Sequence, residues 1–222
     1  MRVTVISPHP DDETLGCGGT LLKHKAAGDQ LDWIIVTRGH SPQWDETSLS
    51  RKEQEINRVA EAYGFDNVER LGFPTMQLDS LPLGNVIKRI SEAVENTKPV
   101  QLYLTHSGDI HSDHRIVFDA TMSAVKSFNS TKHGVTRLLS YETLSSTEAA
   151  PANVARAFVP NVFSDITRFI DRKLEIMSIY ETELQAFPLP RSLESIRALA
   201  RFRGATMGLE YAEAFMLIRE LT

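Results

Sequence analysis

The chain has 222 residues and carries 24 Lys and Arg against 29 Asp and Glu, a formal net charge of -5. That balance argues against a general nucleic-acid binder, which needs a basic excess. At 41% hydrophobic and 24% charged residues it reads as a soluble globular protein, long enough for one domain with a sizeable core. The single cysteine, Cys17, excludes an intrachain disulfide and a multi-cysteine zinc ribbon, and fits a reducing compartment.

"RVTVIS" (2–7) is strand-like and begins without an apolar leader region. No apolar run approaches the roughly 18 residues of a membrane span, so the expectation is a cytoplasmic protein without an integral membrane segment. "TLGCGGTLLKHKAAG" (14–28) reads as a helix closed by Gly28, and "DWIIVT" (32–37) as the next strand. A polar loop, "RGHSPQWDETS", leads into a charged helix from about Leu49 to Tyr63, ended by Gly64. "NVERLG" is a short strand, "LGNVIKRISEAVENT" a helix and "VQLYLT" (100–105) a buried strand. "HSGDIHSDHR" then opens a helix from about His111 to Phe128. Beyond it, "TRLLSYETL" and "RAFVPNVFSDI" read as strands, and "SDITRFIDRKLEIMSIYETEL" as one amphipathic helix with Asp165 near its start. "FPLPRS" breaks the pattern, "LESIRALARFRG" is a short helix, and "YAEAFMLIRE" is a terminal strand or helix. No repeat or linker interrupts the chain. The expectation is one α/β domain over 1–222, a Rossmann-like three-layer sandwich with a mostly parallel sheet and C-terminal elaborations.

Two polar clusters fall directly after predicted strands, where a parallel sheet forms its ligand crevice. The first is His9, Asp11, Asp12 and Glu13; the second is His106, Asp109, His111, Asp113 and His114. Three unpaired carboxylates at a buried strand end cost several kcal/mol each, which a divalent cation would offset. His9 and Asp12 joined by one imidazole of the second cluster make two nitrogens and one oxygen, the usual protein ligand set of a catalytic zinc with an open position. Either aspartate alone, Asp12 or Asp113, reads more readily as a helix cap; it is the pairing of the two clusters that favours a site. The glycines of "GCGG" do not match a phosphate-binding loop and read as close helix–sheet packing. Cys17 reads as a small packed residue, Trp33 as core, and Trp44 as an aromatic for a sugar-binding rim. His24, His40 and His133 read as surface or loop residues. Arg191, in the rigid "PLPRS" turn, reads as an ordinary loop residue or an anion contact.

"HPDDE" followed by "TLGCGGT", with "HSDH" at 111–114, resembles the PIG-L/LmbE family of zinc-dependent N-deacetylases. "VTRGH", "SGDIHSDHR" and the tail "PLPRS…RFRG…GLEYAEAF" extend the resemblance over most of the chain. It implies one zinc per chain, replaceable by other divalent metals, held by His9, Asp12 and His114. It also implies Asp11 as general base, His111 as the second catalytic group and Asp113 as a residue orienting a histidine. The family commonly has an arginine three residues before a glutamate in its second helix; here those positions are Lys52 and Glu55, with Arg51 alongside. Arg51, Lys52, Asp109 and Arg191 are the candidate substrate contacts. The implied reaction releases acetate from a small N-acetylglucosamine-like sugar, and the implied assembly is a homo-oligomer. Two rival readings share the ligand set: an iron(II) enzyme with two histidines and one carboxylate, and a non-catalytic sugar- or nucleotide-binding module with a structural metal.

Overall fold

A computed structural model describes residues 1–151 and 153–222 of the chain. Seven strands form one sheet: β1 (Arg2–Ser7), β2 (Gln30–Arg38), β3 (Asn67–Pro74), β4 (Gln101–Thr105), β5 (Arg137–Tyr141), β6 (Val162–Asp165) and β7 (Ala212–Glu220). Their order is β3-β2-β1-β4-β5-β7-β6. Every pairing is parallel except those of β7, which runs antiparallel to both β5 and β6. The helices are α1 (Asp12–Ala26), α2 (Glu46–Tyr63), α3 (Leu83–Thr97), α4 (Ser112–Ala124), the single turn α5 (Ser130–His133), α6 (Ile170–Met177) and α7 (Leu193–Ala205). The expected three-layer α/β architecture is what forms.

The strands are β-branched and aliphatic because both faces are covered. Alternate residues divide between two cores. Val3, Val5, Leu31, Trp33, Ile35, Tyr103 and Tyr141 pack against α1, α2, α6 and α7. Ile6, Ile34, Val36, Leu102, Leu104 and Leu138 pack against α3 and α4. The chain runs outward from β1 through β2 to β3, then returns to add β4 on the other side of β1. The C-terminal ends of β1 and β4 therefore flank the point where strand order reverses, the crevice position in open α/β sheets. No helix among the described residues is long and apolar enough to cross a membrane.

Several boundaries differ from the sequence reading. α1 starts at Asp12 and is broken at Cys17, whose backbone (φ -141°, ψ 17°) is not helical. α2 starts earlier because Asp45 caps it, accepting the Ser48 amide at 2.7 Å; Gly64 ends it in the left-handed conformation. The helix expected over 164–184 is confined to α6. Asp165 instead closes β6. Past α6 the chain turns to bury Tyr180, whose hydroxyl donates to Glu13 at 2.8 Å. The terminal segment is the strand β7, which lies between β5 and β6 and pairs with both. His133 is buried rather than exposed, accepting the Val135 amide at 3.0 Å. His24 is half-buried between Asp29 and Tyr103.

The glycines of "GCGG" are packing residues, as expected. A Cβ on Gly16 would lie 2.0 Å from Tyr141 Cδ2. Tyr141 is fully buried and its hydroxyl donates to the Ile6 carbonyl at 3.0 Å, so it has nowhere to move. Gly16→Ala is expected to cost about 1–3 kcal/mol by overpacking, lowering the melting temperature by several degrees in a thermal scan. An unchanged melting temperature would show that Tyr141 yields.

Candidate active site

β1 delivers His9, and the tight turn Pro8–Asp11 then reverses into α1. Asp11 has φ 123°, a strained value for a residue with a Cβ. Its amide is held by Glu13, whose Oε2 accepts it at 3.2 Å. Glu13 is wholly buried, and its other oxygen accepts from Thr14 Oγ1 at 2.6 Å and Tyr180 at 2.8 Å. Burial pushes the Glu13 carboxyl up to about 7, against the pull of these hydrogen bonds. Glu13, left without a role by the motif, thus anchors the strained turn that presents Asp11.

β4 delivers the second cluster. His111 is the N-cap of α4, and its Nδ1 accepts the Asp113 amide at 3.2 Å. That places the ring proton on Nε2 and leaves His111 a donor. Neither Asp12 nor Asp113 caps a helix: Asp12 Oδ2 accepts the His9 amide at 2.8 Å, and Asp113 Oδ2 accepts the Met76 amide at 2.7 Å.

The two clusters meet. His114 Nε2 lies 3.2 Å from His9 Nδ1. Asp12 lies 3.4 Å from each, Oδ2 facing His9 and Oδ1 facing His114. Donors around a tetrahedral zinc with bonds near 2.0 Å are separated by roughly 3.3 Å, so the triangle has the size the ion requires. Each imidazole is backed by a carboxylate on its other nitrogen: Asp113 Oδ2 lies 3.0 Å from His9 Nε2, and Asp109 Oδ2 lies 3.1 Å from His114 Nδ1. Carboxylates in that position fix the tautomer of a metal-binding histidine. His111 adjoins the triangle, one of its nitrogens lying within 4.8 Å of those of His9 and His114.

The charges make the same point. Burial pulls the His9 imidazole down, but its bonds to Asp113 and Asp12 carry it up to about 9. Burial likewise opposes His114, which Asp12 and Asp109 carry up to about 10. Asp12 is held below its ordinary range, because the two histidines outweigh burial. The carboxylates therefore call for two positive charges, which a divalent cation supplies with both imidazoles neutral. His111 goes the other way, down to about 4, through burial and repulsion from His9 and His114. Asp11 is pushed up by burial and by repulsion from Asp12 and Glu183, with Arg191 and His9 opposing.

Four residues of the sequence reading occupy other places. Asp109, a candidate substrate contact in the sequence, is wholly buried and its oxygens meet protein partners. Besides facing His114, its Oδ2 accepts Ser146 and Thr147 hydroxyls at 2.8 Å each, and its Oδ1 accepts the His111 amide at 2.8 Å. His106 turns away from the triangle, its Nε2 lying 2.9 Å from the Arg156 carbonyl oxygen. Arg51 pairs with Glu181 at 2.6 Å on the surface, with both side chains about half exposed. Lys52 stands one step from the site, 2.8 Å from both Glu55 and Glu183. Glu183 in turn meets Arg191 at 2.8 Å, and Arg191 Nη1 reaches Asp11 Oδ2 at 3.1 Å. Ser146, Thr147, Glu183 and Tyr180 come from irregular segments after β5 and α6, where no periodicity or motif distinguishes them.

Residues 4–125, which hold both clusters, match the PIG-L family model, described as GlcNAc-PI de-N-acetylase. A diacetylchitobiose deacetylase of Thermococcus kodakarensis is 25% identical over 228 residues, covering 98% of this chain and 83% of that one. The solved structure of a conserved protein from Thermus thermophilus superposes with a TM-score of 0.81 at 27% identity, covering 99% and 96% of the two chains. The 4-carboxy-2-hydroxymuconate hydratase of Pseudomonas putida shares the fold alone, with a TM-score of 0.73 at 16% identity and coverage of 100% and 97%. The architecture by itself does not name a reaction, but the matched segment spans more than half of the chain and both polar clusters, and the chain belongs to the PIG-L family.

Proposed function

We propose that this chain is a metal-dependent N-deacetylase that hydrolyses the acetamide of an N-acetylglucosamine-like sugar, giving acetate and the free amine. The observation that carries the reading is the triangle of His9 Nδ1, Asp12 and His114 Nε2, at 3.2–3.4 Å, with a carboxylate behind each imidazole. Those three residues would hold one zinc ion per chain, which when bound polarises the amide carbonyl and lowers the pKa of its water towards ~7.

The remaining steps belong to this chain's own residues. Asp11 is the general base: its carboxyl is buried beside the metal triangle and raised above the ordinary carboxylate range, chiefly by burial and by repulsion from Asp12. It takes the proton of the attacking water. His111, neutral and with its Nε2 proton free, donates to the oxygen that becomes negative in the tetrahedral intermediate. Protonated Asp11 or His111 then delivers a proton to the leaving nitrogen. Arg191, itself paired with Glu183, holds the Asp11 carboxylate from its outer side.

The substrate class rests on the family description and on the chitobiose-acting relative. A cytoplasmic setting goes with this reading and agrees with the one buried thiol. Iron(II) chemistry with this ligand set usually occupies a double-stranded β-barrel, which this sheet is not.

Acetate release from a panel of N-acetylated sugars, with and without a chelator, tests the proposal. The expected result is release from at least one glucosaminide, abolished by the chelator and restored by zinc. Release that persists after the protein is shown to be metal-free would remove the metal from the reaction. Sugar binding without acetate release would favour the non-catalytic module.

A further inference from the structure

The break in α1 has a charged partner outside the reaction. In an uninterrupted helix the Gly19 amide is spent on the Leu15 carbonyl. Here both groups meet charged side chains. The Gly19 amide donates to Glu213 Oε1 at 2.8 Å and the Thr20 amide to Glu213 Oε2 at 2.7 Å. The Leu15 carbonyl accepts from Lys173 Nζ at 3.0 Å. Lys173 and Glu213 meet each other at 2.7 Å, with both side chains at most 5% exposed. An ammonium and a carboxylate are thus set into the helix at the level of the non-helical Cys17.

A buried ion pair is weak grounds for stability, since the cost of desolvating two charges rivals their attraction. This pair is better explained by what it fixes. On its N-terminal side lies the one short turn that carries Asp12 and Glu13 and follows Asp11. On its C-terminal side the helix continues against α6 and β7. Lys173 comes from α6 and Glu213 from β7, both outside the segment 4–125 that carries the ligands. The tail also sends Tyr180 to Glu13 and Arg191 to Asp11. The strained turn is therefore gripped from three points of the C-terminal half.

We propose that the Lys173–Glu213 pair is a positioning device. It sets the angle of the first turn of α1, and so places Asp11 and Asp12 against the histidines delivered by β4. The inference rests on the metal and deacetylase reading of that site. It assigns the C-terminal elaboration a part in the reaction without giving it a group that touches substrate.

Two variants test it. Glu213→Asp keeps the charge but withdraws the carboxylate by one methylene from the Gly19 and Thr20 amides. Lys173→Met combined with Glu213→Gln removes both charges together and leaves no unpaired ion. Zinc affinity by chelator competition, kcat and KM for acetate release, and thermal unfolding are measured on both, at temperatures where circular dichroism shows the folded state. The expected result is a zinc affinity weakened about 10-fold or more, in the range found when groups behind metal ligands are removed. With it, kcat falls by a similar factor and KM stays within about twofold, because substrate contacts are untouched. Loss of melting temperature alone, with zinc affinity and kcat within twofold of wild type in both variants, would reduce the pair to a structural element. A rise in KM alone would also overturn the proposal. If the wild type releases no acetate from any N-acetylated sugar, the deacetylase reading fails instead, and the zinc-affinity arm still decides the role of the pair.

Discussion

Replacing Asp11 with Asn is expected to lower kcat for acetate release by about 10²–10⁴-fold, the contribution typical of a positioned general base, while zinc content stays unchanged. The separation of the two effects follows from where the residue sits. The triangle of donors is closed by His9, Asp12 and His114 without it. The nearest partner of Asp11 Oδ2 is Arg191, at 3.1 Å, and a carboxamide oxygen still accepts from that guanidinium. Asn also tolerates positive φ better than most residues, so the turn at φ 123° is preserved. Burial first, and then repulsion from Asp12 and Glu183, raises the Asp11 carboxyl above its ordinary range. The base form therefore fills only as pH climbs past that raised value, and kcat/KM of the wild type should rise along an acid limb lying above the usual carboxylate range. Asp11→Asn should lack that limb. Elemental analysis and a pH–rate profile read both effects. Full activity in a zinc-replete Asp11→Asn protein would take Asp11 out of the mechanism.

The parts of this site written in consecutive residues were legible in the sequence. "HPDDE" and "HSDH" each follow an apolar run, and in a sheet closed by helices on both faces a strand end is where such residues can meet. The order of strands, with β4 returning beside β1, brings them together. What escaped were residues whose role depends on who stands opposite. Asp109 and Asp113 look alike in sequence; the resemblance implied the orienting role for Asp113 alone, yet Asp109 backs an imidazole as well, from a fully buried position held by Ser146 and Thr147. Glu13 is indistinguishable from a helix-start residue until Tyr180 and the Asp11 amide are placed on it. The amphipathic pattern continuing from 164 to 184 promised one long helix, but the burial of Tyr180 against Glu13 outweighed local propensity and cut it to eight residues. Lys173 and Glu213 gave no signal, since a charged residue in a helix or at a strand start is ordinarily solvated.

Replacing His114 with Ala is expected to remove stoichiometric zinc and reduce acetate release to background, and the pH dependence of zinc affinity separates this from a simple packing defect. In the metal-free protein the surrounding carboxylates raise both imidazoles, His9 to about 9 and His114 to about 10, so protons compete with zinc for these rings at neutral pH. Zinc needs both rings neutral and must expel two protons. Wild-type affinity should therefore rise by up to about 100-fold per pH unit between pH 7 and 9, flattening as the pH passes 10. Without His114 only His9 has a proton to lose, and any residual affinity should climb by about tenfold per unit at most. Stability carries the complementary sign. Both imidazoles are raised above the unfolded value near 6.5. The stabilisation they give the metal-free fold is thus fully present below pH 6.5 and is lost as pH rises through 9 and 10. Zinc should abolish that decline, because it occupies the place of the protons that alkali removes. Chelator competition across pH, with thermal melts of the metal-free and loaded protein, reads both slopes. A His114→Ala protein that keeps one zinc per chain with the wild-type slope would show that the ion is held elsewhere.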